Sequence, residues 1–287
     1  RENMYCDKET LAQKMREYER KEAVCLRPDM PVVIRVDGRA FKHFTKGLKT
    51  PFDNVFRDAM KDTMLTLCEQ VPGCILGYTF SDEISLILYP ENQNDESRWF
   101  GYNVQKLASN TASMATLYFN KFFAENVENL IRDLVYNCEI TPQEKMSKYP
   151  SEYIERLRRK CWTATFDSRA FSLPISEIPN YLRFRQMDCV RNSVPAVARA
   201  VFGNSSSLWD KKGIGEMIEM LKTTNSPWDS FSSHDKYGAF CIKRPKQFQR
   251  ELNGQTINFI RNKWEVCANT PNMETNQDDV IALFPKI

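Results

Sequence analysis

Two apolar runs, Pro31-Val-Val-Ile-Arg-Val-Asp-Gly-Arg39 and Tyr78-Thr-Phe-Ser-Asp-Glu-Ile-Ser-Leu-Ile-Leu88, constrain the fold of this chain more than any other feature. Each reads as a strand that carries acid to a turn. Asp37 closes the first run, and Ser81-Asp82-Glu83 separates two apolar halves of the second, a hairpin signal without the usual Asn-Gly turn. Between them Val55, Phe56, Ala59, Met60, Thr63, Met64 and Leu67 recur at helical spacing and stop near Pro72-Gly73. That helix is long enough to return the second run beside the first and bring Asp37 and Asp82 together. An Asp-Gly strand end alone often makes only a tight turn, and an acidic hairpin tip is often just solvated. Here the flanking runs are too apolar for a solvated tip.

Further along, a long helix pattern runs from about Trp99 to Phe123, and Thr163 to Phe171 reads as a strand. Residues 7–24 read as a surface helix. Strand, helix, hairpin, helix, strand fits an antiparallel sheet backed by helices on one face, an α+β layer. Beyond Ile178 helices are expected at 181–203 and 211–223, then a Ser-rich loop from Ser226 to Ser233, a short strand at Tyr237–Ile242, and an irregular last stretch rich in Asn and Thr. The expected organisation is a palm-like catalytic domain over 1–178 and a mainly helical C-terminal part over 179–287, packed on the palm as one unit.

Composition narrows the chemistry. The nine Cys include no Cys-x-x-Cys pair and there are only two His, so a hard cation on oxygen ligands is the metal to expect. No apolar run reaches the roughly 18 residues of a membrane span, and Arg1-Glu-Asn-Met-Tyr-Cys carries no apolar signal core. Cytosolic residence is the expectation, with a mitochondrial one left open. A formal charge of +3 announces no partner, but the local runs Arg156-Leu-Arg-Arg-Lys160 and Lys243-Arg-Pro-Lys-Gln-Phe-Gln-Arg250 are either solvated faces or RNA-facing patches. A Gly-rich loop ending in Gly-Lys-Ser/Thr is absent, which argues against a P-loop NTPase.

Two carboxylates on neighbouring strands can bridge two Mg²⁺ ions roughly 4 Å apart, one at the attacking oxygen and one at the leaving phosphates. Mg²⁺ keeps waters and borrows phosphate oxygens, so two Asp and a backbone carbonyl suffice. A polymerase-like palm uses this arrangement.

Val33-Ile-Arg-Val-Asp-Gly-Arg-Ala-Phe41, Pro51-Phe-Asp53, Ser81-Asp-Glu-Ile-Ser85, Phe166-Asp-Ser-Arg169 and Arg185-Gln-Met-Asp188 resemble, in order and spacing, the tRNA-His guanylyltransferase family. The resemblance extends over roughly residues 10–245. It implies nucleotide addition in the 3′-to-5′ direction at a tRNA 5′ end, after adenylylation of a 5′-monophosphate by ATP or from a 5′-triphosphate. By the same resemblance Asp37, the Gly38 carbonyl and Asp82 hold the two metals, with Glu83 supporting them as a further catalytic carboxylate. The turn residues Gly38, Arg39, Ala40 and Phe41 would hold triphosphate oxygens through their amides. Lys42 or His43 would reach the same charge, although His43 on its own is an ordinary loop histidine, and Ser81 would lie beside the metals. Lys49, Lys106, Arg169, Arg185, Asp188 and Asn192 are the candidates for phosphate or RNA contact. ATP or GTP is implied as substrate and activator, and a dimer or tetramer as the assembly.

The departures from the family pattern are informative. Guanylyltransferases proper carry His-Ile-Asn-Asn-Leu-Tyr-Asn where this chain has Val190-Arg-Asn-Ser-Val-Pro-Ala196. That resembles the family's other branch, which repairs 5′-truncated tRNA by Watson–Crick templating. Asn103 stands where relatives place an Arg ahead of the lysine matching Lys106, and Lys49-Thr50 precede Pro51 with the lysine one position early. Guanylyltransferase activity on tRNA-His, a palm-type nucleotidyl cyclase and a non-catalytic tRNA-binding module are the alternatives.

Overall fold

A computed structural model of the chain describes residues 8–89, 98–136, 141–203, 209, 211–252 and 255–276. Its centre is a six-stranded, wholly antiparallel sheet in the order β4-β1-β3-β2-β5-β6. The strands are β1 (Val32–Gly38), β2 (Cys74–Phe80), β3 (Glu83–Leu88), β4 (Phe166–Ser172), β5 (Ala239–Leu252) and β6 (Gln255–Val266). The helices are α1 (Lys8–Lys21), α2 (Phe41–Phe44), α3 (Asn54–Gln70), α4 (Val104–Tyr136), α5 (Pro142–Lys148), α6 (Ser151–Lys160), α7 (Ile178–Phe202), α8 (Ile214–Leu221) and α9 (Ser233–Tyr237).

Period-2 alternation sorts the strand residues between two cores. Ile34, Val36, Ile84 and Leu86 face α3 and α4, meeting Met60, Met64, Leu67, Phe119 and Phe123. Val33, Tyr78, Ile87 and Phe240 face the other way, onto Tyr181, Leu182 and Cys189 of α7. Helices therefore lie on both faces of the sheet, not on one as the element order suggests. On the α7 side Asp167 and Arg169 of β4 stay exposed, so that face is open beside Asp37. Asn120 of α4 pins β4 from behind, donating to the Ala164 carbonyl (2.9 Å) and accepting from the Ala164 N–H (3.1 Å).

The helix expected over 99–123 runs on to Tyr136, preceded by a single 3₁₀ turn at Trp99–Tyr102. Most of the polar connection expected between Pro90 and Arg98 lies outside the described residues. The larger correction concerns the C-terminal part, where residues 243–252 and 255–266 are regular strand. They form most of a long two-stranded ribbon, and only Ala239–Ile242 of β5 pair with β2. Its alternation is not apolar, because beyond Ile242 most of its side chains are solvent-exposed.

Candidate active site

The site is set where β1 ends. β2 and β3 are joined by only Ser81 and Asp82, with Phe80 opposite Glu83, and Ser81 takes a left-handed φ of 48° to close the turn. A side chain in that region costs on the order of 1 kcal/mol. The turn folds over the end of β1, where the Gly38 N–H donates to the Asp82 carbonyl at 3.0 Å. One backbone hydrogen bond thus ties the two aspartate-bearing elements together. Asp37 is half-buried, opposite Glu83 on one side and Asp167 on the other.

The electrostatics follow from that closeness. Burial pushes the Asp82 carboxyl above the usual aspartate range, a hydrogen bond from the Ser81 hydroxyl (2.9 Å) pulls it back, and the Asp37 charge adds to the rise. Arg169 approaches Asp37 at 4.0 Å but stands nearer to Asp167, at 3.1 Å. Two hard oxygen donors held together in partial burial suit a small divalent cation. Among the described residues no group of three or more His, Cys, Asp or Glu side chains could hold a metal. A cation here would draw on Asp37, Asp82, a backbone carbonyl such as that of Gly38, water and the phosphates of its substrate.

Gly38 has a second reason to be glycine. A Cβ built there would lie 2.3 Å from the Phe41 ring, which is locked among Phe44, Phe56, Phe119 and Phe166. Overpacking of this kind costs about 1–3 kcal/mol. Gly38→Ala is therefore expected to lower the unfolding free energy measured by urea titration by about 1–3 kcal/mol and to move the Asp37–Asp82 pair, read as lost activity in the protein that remains folded.

Glu83 is turned elsewhere. Its Oε2 accepts from Arg185 at 2.8 Å and lies 4.0 Å from Arg35 Nε, all within the buried layer under α7. Arg185 is only 6% exposed and also donates to Asp188, which takes a further bond from Arg191 at 3.2 Å. Arg185, expected with Asp188 to contact phosphate or RNA, is a buried link from α7 to Glu83 of β3, and Asp188, part-exposed, bonds within α7 to Arg185 and Arg191. Arg39 and Ala40 are exposed on the turn, but the Arg39 amide is taken by the Thr165 carbonyl at 2.9 Å and Phe41 is buried. Lys106 is exposed on α4, 5.8 Å from the Phe100 ring, and its amide is capped by Asn103.

The remaining candidates converge. Lys42, His43, Lys49, Ser81 and Asn192 all line one cavity of about 970 Å³ beside the Ser81-Asp82 turn, within the size range of small-ligand sites. Lys49 lies 3.4 Å from the Tyr149 ring, and burial holds its amine below the usual lysine range. Asp53, at 5% exposure, braces this wall by accepting from the Lys49 N–H (2.8 Å), the Phe56 N–H (3.2 Å) and the Tyr153 hydroxyl (2.7 Å). Arg57, Arg199 and His234 also line the cavity and were not singled out from sequence. They come from α3, α7 and α9, and no local motif joins them.

A basic cavity thus lies beside the two aspartates on a palm-like sheet. The sequence profile of the family described as Thg1, tRNAHis guanylyltransferase, matches residues 12–174, which hold β1 to β4 and both aspartates. The chain belongs to the tRNAHis guanylyltransferase family. Membership makes it a nucleotidyltransferase of the class that acts on tRNA 5′ ends. An uncharacterized protein of Acanthamoeba polyphaga mimivirus is 28% identical over 247 residues, 82% of this chain and 78% of that one. A bacterial Thg1-like protein solved in complex with ATP is 30% identical, with a TM-score of 0.68 over 96% of this chain and 99% of its own. A bacterial Thg1-like protein in complex with GTP is 28% identical, with a TM-score of 0.63 over 94% of this chain and 96% of its own. The family match ends before α7, so Asn192 and the Arg185 link lie outside the matched residues. Among the described residues no helix is long and apolar enough to cross a membrane.

Proposed function

We propose that this chain is a Mg²⁺-dependent 3′-to-5′ polymerase that adds nucleotides to the 5′ end of truncated tRNA by Watson–Crick templating, after ATP-dependent activation. The observation that carries the reading is the hydrogen-bonded junction of the Asp37 and Asp82 turns beside a cavity lined by Lys42, Lys49 and Arg57. Solved family members in complex with ATP or GTP support a nucleotide as its occupant.

In the first step an oxygen of the RNA 5′-monophosphate attacks the α-phosphorus of ATP and pyrophosphate leaves. In the second, the 3′-hydroxyl of an incoming nucleoside triphosphate attacks the activated 5′-phosphorus, AMP leaves and the hydroxyl proton passes to solvent. Phosphoryl transfer asks the protein mainly for positioning and charge. Asp37 and Asp82 would hold the cations, which when bound sharpen the attacking oxygen and screen the leaving phosphates. Lys42, Lys49 and Arg57 would neutralise the triphosphate, and Arg169, exposed on the open face beside Asp37, would meet the RNA 5′ phosphate. Templating needs no base-reading side chain. In keeping with that, Ser193 is spent on the Cys189 carbonyl (2.8 Å) and only Asn192, Ser193 and Ala196 of the divergent stretch line the cavity. A dimer or tetramer is part of the same reading, and light scattering showing only monomer would remove it.

The test follows a 5′-labelled tRNA lacking its first nucleotide through incubation with Mg²⁺, ATP and each nucleoside triphosphate in turn. Extension only by the nucleotide complementary to the acceptor strand is expected. Template-independent addition of G to tRNA-His would place the chain with the guanylyltransferases proper. NTP consumption without RNA would mark a cyclase, and no reaction even on a 5′-triphosphate RNA would overturn the enzymatic reading.

A further inference from the structure

Helix α6 ends on an unusual residue. The Cys161 N–H donates to the Arg158 carbonyl and the Thr163 N–H to the Lys160 carbonyl, each at 3.2 Å, and Trp162 between them takes a left-handed φ of 66°. Glycine usually fills such a place just past a helix, because a side chain there costs on the order of 1 kcal/mol. The indole recovers little of that by packing, since Trp162 is 65% exposed. A bulky residue that is both strained and bare marks a place where something outside the fold is expected to bind.

Trp162 borders a groove of about 500 Å³ between α4 and the start of β4, with Leu117, Thr116, Thr165 and Phe166 also lining it. Leu117 is 58% exposed, so two bare apolar side chains flank the groove. Three of its polar side chains are already engaged. Thr116 accepts from the Phe166 N–H (3.1 Å), Ser113 donates to the Asn110 carbonyl (2.9 Å), and Asn120 holds Ala164. What the groove offers a ligand is a ring face and an apolar wall, with little to read a hydrogen-bond pattern.

The groove also adjoins the catalytic turn. Phe166 stands opposite Gly38 in the β1–β4 register, about 4.8 Å away across one strand spacing, and the Thr165 carbonyl accepts the Arg39 N–H at 2.9 Å. β4 is the edge of the sheet, so no described strand pairs beyond it. The surroundings are cationic. Arg158, Arg159 and Lys160 form the last turn of α6 just before Trp162, and Arg39 is exposed on the catalytic turn. Arg158 and Arg159 share one carboxylate, Glu155, at 3.9 Å each. A bare ring among cations suits a nucleobase with its phosphate, because stacking supplies affinity whatever the base.

We propose that Trp162 is a stacking platform for an unpaired nucleobase of the RNA strand that faces the growing 5′ end, with Leu117 closing the other side of the groove. This assignment rests on the templated-extension reading above. In a 5′-truncated acceptor the base opposite the gap has no pairing partner, and a ring at the edge of the site holds it until the incoming nucleotide pairs. Because every base has a stacking face, such a contact leaves nucleotide choice to pairing.

The experiment places 2-aminopurine at the unpaired position opposite the gap of a 5′-truncated tRNA, and in a second RNA at a paired position deeper in the stem. Binding of the unmodified chain, followed by anisotropy, is expected to quench the first probe and leave the second unchanged. Trp162→Gly suits the left-handed backbone, so this variant should melt no lower than the unmodified chain. It should lose the quenching, bind the gapped RNA about five- to a hundredfold more weakly, and bind a blunt, fully paired RNA as the unmodified chain does. Its slope of log K against log[salt] should stay the same, because no phosphate contact is lost. Trp162→Phe should restore most of the quenching and affinity. A probe that stays bright when the unmodified chain binds would overturn the assignment, whatever the variants do. So would full affinity of Trp162→Gly for the gapped RNA, or an equal loss on gapped and blunt RNA. A smaller assembly of Trp162→Gly in light scattering, with unchanged RNA affinity per subunit, would also overturn it and make the groove a protein interface. In each of these cases templated 5′ extension by the unmodified chain would stand. Failure of the unmodified chain to bind or extend any tRNA would instead sink the reading on which the assignment rests.

Discussion

Asp82→Asn is expected to abolish nucleotide addition and to make the protein more stable. The substitution keeps the shape of the Ser81-Asp82 turn and the carbonyl that receives the Gly38 N–H, so the fold has no reason to fail. It removes one of two hard ligands, and loss of several kcal/mol of charge stabilisation corresponds to at least about a thousandfold in rate. The stability gain has a separate cause. The Asp82 carboxyl is raised by burial first and by the Asp37 charge as well, so its ionised form is disfavoured in the folded state relative to the unfolded chain. A folded value above the unfolded one means that the group's contribution to stability is present below about pH 4 and is lost as pH rises through the folded value. The variant and the unmodified chain should therefore melt together at acid pH and separate above it, with the variant higher by a few degrees at neutral pH. Added Mg²⁺ should close that gap by stabilising only the unmodified chain, since binding to the folded form alone raises its apparent stability. Calorimetry in EDTA and in Mg²⁺ across pH 4–8, beside the extension assay, checks each part. An inactive variant with unchanged melting at every pH would keep the catalytic role and remove the electrostatic account.

The strands that carry the candidate site were legible in the sequence where burial forces a pattern. Val32 to Val36 alternate between two cores, and a strand so constrained can end in Asp37-Gly38 at only one place. The hairpin was legible for the same reason, although its turn uses a left-handed Ser81 where an Asn-Gly pair would be usual. The ribbon left no such trace. Lys243 to Arg250 buries neither face, so hydrophobicity does not alternate there, and Pro245 argues against a strand in any central position. The cavity was legible only in pieces, because α2, α3, α7 and α9 each supply residues and no short segment holds the set. Glu83 shows the limit most clearly. Alternation puts it on the face of Asp37, but its partner Arg185 stands 102 residues away and is fixed by where α7 crosses the sheet.

That partnership carries the other large effect. Arg185→Met should destabilise the fold by about 3–5 kcal/mol, because it strands a carboxylate in the layer between β3 and α7. Glu83 is already raised by burial, with Arg185 and then Arg35 pulling it back, and it keeps one buried oxygen without a partner. Arg35 at 4.0 Å is too far to replace a 2.8 Å hydrogen bond. The neutral pair Glu83→Gln with Arg185→Met should recover most of the loss, since two uncharged groups of similar volume carry no ionic desolvation cost. Protonation offers the single variant the same escape. Without Arg185 the Glu83 value rises further above its unfolded value of about 4.3, so the stabilising contribution is complete below that pH and lost as pH climbs. The deficit should then be largest at pH 7–8 and shrink toward pH 5, whereas a simple packing defect would cost the same at both. Urea titrations of the single and double variants at the two pH values separate these outcomes. Because Glu83 directly follows Asp82 and faces Asp37 across the ladder, the single variant should also weaken Mg²⁺-dependent stabilisation, while the double variant should restore it. An active double variant would establish that Glu83 serves the site by holding the turn, and that Asp37 and Asp82 suffice as its carboxylates.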